Sequence, residues 1–200
     1  MLVLSIDTSW FKGGVALLRE EKLISVHVFP EERKHAIYFP ACVQDLLTKA
    51  EESLNNVDLI TVALGPGSFT GLRVGLSFAK ALSYALKKPL KGVSSLEAIA
   101  SVHELKGKTV LAAIRLRRNQ LVGALFKGGI PPTRLSEDFV GDISSFKKLK
   151  AEFFIDESVE DYPFFLLTGI AKLGSYLYKL YGSDNPFSLS PLYVKGGQPS

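Results

Sequence analysis

The sequence predicts an α/β fold in which a mixed sheet carries helices on its faces. Three observations predict this class. Three short apolar runs open the chain, two amphipathic segments then flank a fully apolar run, and a shorter set of strands and helices follows in the second half. Of the 200 residues, 46% are apolar and 22% are charged, as in a folded globular protein.

The first three elements are strands of an antiparallel meander. Residues 2–6 are an apolar run that ends at Asp7, residues 15–18 follow a pair of glycines, and residues 22–29 follow three polar residues. Because these connections are so short, we expect the strands to pair with their neighbours in the chain.

A helical period replaces the strand period after the meander. Residues 37–53 carry apolar side chains three and four positions apart, with Pro40 in the first turn. Residues 57–64 form an apolar run that is typical of a strand buried on both faces and parallel to a neighbour. Residues 71–87 are predicted to form a long helix that ends before Pro89.

The second half repeats this order in a shorter form. Residues 92–93 are a brief strand, and Ser94 with Glu97 forms a capping box that starts a helix to about residue 103. The remaining predictions are strands at 109–114, 120–127 and 152–155, a loop at 128–138, and a helix from Pro163 to about residue 182. The repetition predicts two lobes, 1–100 and 101–200.

A glycine-rich turn joins the buried strand to the long helix. Residues 65–75 read Gly-Pro-Gly-Ser-Phe-Thr-Gly-Leu-Arg-Val-Gly, without the Lys-Ser/Thr of a Walker A loop. Free amides at a helix N-terminus favour an anion, and Ser68 or Thr70 is placed to contact a phosphate or to cap the helix. The alternative is a tight capped turn that only brings strand and helix together.

Asp7 also has two interpretations. A carboxylate at a strand end can hold the water shell of Mg²⁺ beside a phosphate, or it can cap its own turn. The single cysteine, Cys42, lies in an apolar helical segment, which favours a buried small hydrophobe over a nucleophile.

The long helix carries more apolar surface than one sheet can cover. Its polar positions fall in one stripe about 80° wide, and they are Arg73, Ser77, Lys80, Tyr84 and Lys87. Core packing or another polypeptide covers the surplus. Small residues four positions apart, at Gly71, Gly75, Ala79 and Ser83, would let a second helix approach closely.

The formal charge of +4 permits contact with nucleic acid without demanding it. Basic residues group only at 87–88, 115–118 and 147–150, which favours solvated faces over a nucleic-acid patch. The N-terminus lacks a basic region before its short apolar run, and no window approaches the ~20 apolar residues of a membrane span. We therefore expect a soluble cytoplasmic protein that does not bind membranes.

Five segments together resemble the TsaB/YeaZ family. They are residues 6–9 (Ile-Asp-Thr-Ser), His35 with Pro40 behind it, residues 65–75, residues 92–98 (Gly-Val-Ser-Ser-Leu-Glu-Ala) and residues 191–193 (Pro-Leu-Tyr). The resemblance is close over the N-terminal half and loose over the rest, and residues 65–75 are its most specific part.

The resemblance implies an actin/hexokinase-like, RNase H-type (ASKHA) fold of two lobes. It implies a scaffold subunit without catalysis of its own, which acts with the catalytic paralogue TsaD and the ATPase TsaE. Together they transfer threonylcarbamoyl to the adenosine beside the anticodon of tRNA, which the scaffold contacts indirectly. It also implies a homodimer in isolation and no resident cofactor, with ATP or ADP and Mg²⁺ bound weakly or at an interface.

In the family, two N-terminal helices pair with those of TsaD or of a second copy, and they correspond here to residues 35–53 and 71–87. The predicted interface residues are His35, Tyr38, Phe39, Cys42, Leu46, Gly71, Leu72, Val74, Gly75, Phe78, Ala79, Leu82 and Ser83. The residues predicted for a vestigial phosphate site are Asp7, Thr8, Ser9, Gly67, Ser68 and Thr70. No catalytic or metal-binding residue is predicted.

Two departures from related sequences bear on function. TsaD carries two metal-binding histidines four residues apart, whereas His27, His35 and His103 are not so spaced, which favours the scaffold. Many TsaB/YeaZ members have Asp-Ala-Arg where this chain has residues 115–117, Arg-Leu-Arg. The alternatives are a stand-alone ATPase or small-molecule kinase that uses Asp7, Ser68 and Thr70, and a peptidase, for which the sequence shows no nucleophile or metal site.

Overall fold

A computed structural model describes residues 1–10, 13–29, 35–117 and 119–194, except for the side chains of His35, Ala36 and His103. Two five-stranded sheets form the molecule, one from each half of the chain. The strands are β1 (Leu2–Asp7), β2 (Gly14–Arg19), β3 (Lys22–Val28), β4 (Leu59–Gly65), β5 (Leu90–Ser94), β6 (Thr109–Arg117), β7 (Gln120–Lys127), β8 (Thr133–Arg134), β9 (Phe139–Gly141) and β10 (Phe153–Ile155). The helices are α1 (His35–Lys49), α2 (Phe69–Leu86), α3 (Ser95–Ala100), α4 (Ile143–Lys147) and α5 (Tyr162–Tyr181).

The first sheet has the order β3-β2-β1-β4-β5. The meander is confirmed, because β1 pairs with β2 and β2 with β3, both antiparallel. The buried parallel strand is also confirmed, since β4 lies parallel to both β1 and β5 and is buried along its whole length.

Helices cover both faces of the first sheet, which is why β1 is apolar at successive positions. Leu4 and Ile6 of β1 pack in the core beneath α1 and α2. Val3 is one position before Leu4, so its side chain points to the opposite face of the sheet, where it packs with residues of α5. Pro40 lies within α1, near its start.

The second sheet has the order β10-β6-β7-β8, and β9 also pairs with β7. The predicted loop at 128–138 was wrong at β8, and β9 and α4 were not predicted. These elements span two, three and five residues, which is too short for a hydrophobic period to be seen.

The last helix returns to the first sheet instead of staying with the second. It packs so closely that Gly169 lies against the backbone of Ala98 and Gly174 lies against Thr61. After α5, residues 183–194 (the C-terminal strap) run back over the first sheet, where Leu192 N donates to Leu64 O at 2.7 Å. The division at residue 100 stays a prediction.

Within the described part of the chain, none of the helices combines the length and the apolar character that crossing a bilayer requires.

Candidate functional site

The turn after β1 packs directly onto the first turn of α2. Thr8 Oγ1 donates to Gly71 O at 2.6 Å, and Ser68 N donates to Ser9 O at 2.6 Å. The structure therefore brings together both segments that were predicted to form a phosphate site.

Glycines make this approach possible. A Cβ atom on Gly71 would lie 1.9 Å from Thr8 O, and one on Gly75 would lie 2.3 Å from Thr8 Oγ1. No side chain fits at these distances, so both positions require glycine. Gly71 and Gly75 of α2 thus face the β1 turn of this chain. Contact of Ala79 and Ser83 with a second helix stays a prediction.

Three backbone amides around the start of α2 are bonded within the chain. Ser68 N donates to Ser9 O, Gly71 N donates to Ser68 Oγ at 3.3 Å, and Leu72 N donates to Ser68 O at 2.8 Å. The phosphate site predicted at this turn stays a prediction. Binding of ATP or ADP with Mg²⁺ stays a prediction.

Asp7 caps its own turn, as one of the two interpretations predicted. Its side chain is 0% exposed, and its Oδ1 accepts from Ser9 N at 2.9 Å. Oδ2 has no hydrogen-bond partner among the residues that the structure describes. Burial raises the pKa of this carboxyl from 3.8 to about 6, against the opposing effect of the bonds from Ser9 and Thr8.

Other buried polar groups lie where the two sheets meet. The Tyr162 ring packs edge-on against Trp10, with ring centres 5.6 Å apart. Burial raises the Tyr162 pKa well above its ordinary value, and the charges of Asp7, Glu157 and Asp156 raise it further. These three carboxyls therefore all lie near the Tyr162 side chain. Within the described chain, no group of three or more His, Cys, Asp or Glu residues is placed to hold a metal ion.

Most of the predicted interface residues lie inside this chain and not on its surface. The buried ones are Phe39, Cys42, Leu46, Gly71, Leu72, Gly75, Ala79 and Ser83. They pack beneath α1 and α2 against the first sheet, which the sequence pattern alone does not distinguish from packing against a partner. Their place in a partner interface stays a prediction, while Cys42 as a buried small hydrophobe is confirmed.

The other predicted interface residues lie at the surface or beside it. Tyr38, Val74, Phe78 and Leu82 are half-buried. The side chain of His35 lies outside the described part of the structure. Phe78 stacks on Phe39 of α1 with ring centres 4.3 Å apart, so the half-buried residues of α2 begin at the seam between the two helices.

An apolar surface extends outward from this seam, and we call it the α1–α2 face. On α2 it spans about 100° at 100° per residue, and on α1 it includes Ile37, which is 73% exposed. Its members are Ile37, Pro40 and Ala41 on α1, and Val74, Phe78, Ala81, Leu82 and Ala85 on α2. Apolar residues that share one exposed helical face are typical of a protein contact.

Aromatic residues of the C-terminal strap contact α2, and the sequence did not predict these contacts. Tyr193 lies 5.1 Å from Phe69 between ring centres, and its hydroxyl accepts from Arg73 Nε at 3.0 Å. Phe187 lies 6.4 Å from Tyr84, also between ring centres. The polar stripe of α2 was predicted from its spacing, but a tail without a period gives no sign of which helix it crosses.

Comparison with known sequences identifies relatives of this chain. A family model described as "TsaD: tRNA N6-adenosine threonylcarbamoyltransferase" matches residues 21–130, more than half of the chain. The chain is 34% identical over 127 residues to the Bacillus subtilis "tRNA threonylcarbamoyladenosine biosynthesis protein TsaB", covering 64% of this chain and 56% of that protein. It is 42% identical over 109 residues to the Thermosipho melanesiensis "tRNA N6-adenosine threonylcarbamoyltransferase", covering 47% and 34%. The matches thus span about half or less of these relatives.

A solved structure shares the fold over nearly the whole chain. "YeaZ from Pseudomonas aeruginosa" superposes with a TM-score of 0.79 and covers 96% of this chain and 99% of its own, at 22% identity. At that identity the likeness shows the fold alone. The α/β class predicted from the sequence, and the actin-like fold implied by the resemblance, are confirmed.

Proposed function

The chain belongs to the TsaB/YeaZ family, and from that premise we propose that it is a non-catalytic subunit in the formation of threonylcarbamoyladenosine in tRNA. In this proposal it acts with the catalytic paralogue TsaD and with TsaE, and it forms a homodimer when TsaD is absent. Relatives named for this modification include both TsaB proteins and the transferase itself.

The observation that carries the proposal is the α1–α2 face. Ala81 and Ala85 are exposed on this face, beside half-buried Val74 and Leu82. An alanine-rich helix face without charge lets a partner helix approach closely and bury apolar area, at roughly 25 cal/mol per Å². TsaD and a second copy of this chain are related partners, so one face serves both in turn.

The absence of catalysis is supported by the sequence and by the geometry of the β1 turn. The chain lacks the pair of histidines four residues apart that the transferase uses. At the start of α2, the amides of Ser68 and Gly71 are bonded within the chain, to Ser9 O and Ser68 Oγ.

The test is association with TsaD after Ala81→Arg. An arginine at this exposed position of the face would bury an unpaired charge in any complex that the face forms, so we expect the affinity for TsaD to fall at least 100-fold. The free subunit should keep its thermal stability, because Ala81 is exposed. Calorimetry with purified TsaD and reconstituted tRNA modification would measure the two effects.

Thr133→Arg is the matched control, because it adds the same side chain at an exposed position of β8 in the second sheet. It should leave TsaD binding within twofold of the wild type. Unchanged binding of the Ala81→Arg variant would show that the α1–α2 face is not the contact surface.

A further inference from the structure

All the charged residues in the polar stripe of α2 are basic. Arg73, Lys80 and Lys87 are spaced by seven residues, so they lie on one stripe about 10.5 Å apart along the helix axis. The eighteen residues of α2 include no acid. This stripe lies beside the α1–α2 face and does not overlap it.

Aromatic rings lie between and beside these cations. The Arg73 guanidinium sits 3.9 Å from the centre of the Phe69 ring, which in turn contacts Tyr193 of the strap. At the other end of α2, Tyr84 is 75% exposed and Phe187 is 83% exposed. Large rings this exposed, and paired with each other, are uncommon on a surface that contacts only water.

Open grooves mark the two ends of the stripe. One, of about 620 Å³, is formed by the start of α2, the strap and the β6–β7 hairpin, and Arg117 and Gln120 line it. The other, of about 610 Å³, is lined by Tyr84, Lys87 and Lys88 together with the start of the strap. Neither groove has an acidic residue among its lining residues.

The lysines of the stripe are not neutralised by a neighbouring acid, unlike some other basic side chains of the described chain. Lys91 and Arg134 each bond a carboxylate, from Asp184 and Asp138 respectively. Lys80 and Lys87 have no ion-pair partner among the residues described, so their charge faces outward.

We propose that this basic–aromatic stripe, made of Arg73, Lys80 and Lys87 with Phe69, Tyr84, Phe187 and Tyr193, binds single-stranded RNA directly. Evenly spaced cations match a chain of phosphates, and exposed rings between them stack on bases whatever the sequence. An acidic protein segment would need the cations but not paired rings at both ends. The identity of the RNA as tRNA rests on the proposed function, whereas the direct contact goes beyond it.

The test measures RNA affinity of the purified full chain against salt. The RNA is an unmodified transcript of a tRNA that reads codons beginning with A, with its isolated anticodon stem-loop as a second ligand. Lys80→Glu with Lys87→Glu should weaken binding at least tenfold at 100 mM KCl. The slope of log K against log salt should become shallower by about 1.4, since each lost single-strand phosphate contact contributes about 0.7.

Lys147→Glu with Lys150→Glu is the matched control, because it makes the same change in net charge at exposed positions in the second half of the chain. It should change the affinity less than twofold.

Tyr84→Ala with Phe187→Ala should weaken binding at least fivefold without changing the salt slope.

Three outcomes overturn the proposal. Equal losses in the two charge variants would mean a non-specific effect of net charge. No loss in the stripe variant would place RNA elsewhere. If the stripe variant loses TsaD binding but keeps its RNA affinity, the stripe is a contact surface for a protein and not for RNA. TsaD binding is measured on the same samples, which separates the two proposals. If the wild-type protein binds RNA but not TsaD, the proposed function is refuted and this inference is not.

Discussion

Replacing Asp7 with asparagine should stabilise the protein at alkaline pH. The carboxyl is fully buried, its Oδ2 has no partner in the described chain, and burial raises its pKa to about 6. The folded state therefore holds a proton on Asp7 more tightly than the unfolded state does.

The sign follows from proton linkage. The unfolded carboxyl releases its proton near pH 3.8 and the folded one near pH 6, so between these values the unfolded state binds fewer protons and stability falls as pH rises. The difference of about two pH units corresponds to about 3 kcal/mol, all of it lost above pH 6. Asparagine carries no charge, so this loss disappears in the variant.

At pH 8 we expect the free energy of unfolding of Asp7→Asn to exceed that of the wild type by about 1–3 kcal/mol. The gain falls short of the full 3 kcal/mol because a buried amide without partners is itself costly. At pH 4 the gain should vanish or reverse. Guanidinium unfolding at both pH values measures it, and the fluorescence of Trp10, the single tryptophan, reports on this junction because its ring contacts Tyr162.

Asp142→Asn is the control. Asp142 is an exposed cap of α4, and its bond from the Ser145 amide, with others from Ser144 and Ser145, lowers its pKa to about 2. Its contribution is present above its ordinary pKa and lost as pH falls, so the pH dependence should have the opposite sign. If Asp7→Asn destabilises the protein at pH 8 at least as much as at pH 4, the ionised carboxylate has a favourable partner and the reasoning is refuted.

Two further predictions concern packing. Gly71→Ala should cost about 3 kcal/mol, because its Cβ would overlap the carbonyl of Thr8; Ser77→Ala, exposed on the same helix, should stay within about 0.5 kcal/mol of the wild type in urea unfolding. Asp184→Ala should cost about 2–3 kcal/mol, because it leaves the ammonium of buried Lys91 without its carboxylate. Limited proteolysis should then cut the strap in a protein whose remainder resists, and a strap that stays protected would contradict this.

Much of the first sheet was predictable because its signals are local. Strand β1 is apolar at successive positions and ends in a polar turn, and the period of α2 separates its polar stripe from the rest. The predicted Ser94 cap of α3 is seen as a bond from the Glu97 amide to Ser94 Oγ at 3.4 Å. Such features depend on residues a few positions apart, so the sequence contains them in full.

The candidate site was harder, because an apolar residue has the same appearance whether it faces its own sheet or a partner. Ala79 and Ala81 are both small residues of α2, yet Ala79 is buried in the core and Ala81 is exposed. Only the position of β1, β4 and α1 around the helix distinguishes them.

The sequence by itself determined the strands of the first sheet, the long helices, the glycine-rich turn and, through its motifs, the family. The tertiary structure decided which face of α2 is free, that the turn after β1 packs on the start of α2, and that the strap places aromatic rings beside a basic stripe. These depend on contacts between segments up to 120 residues apart, as in Arg73 with Tyr193. No local period records such contacts, because they form only when the sheets close.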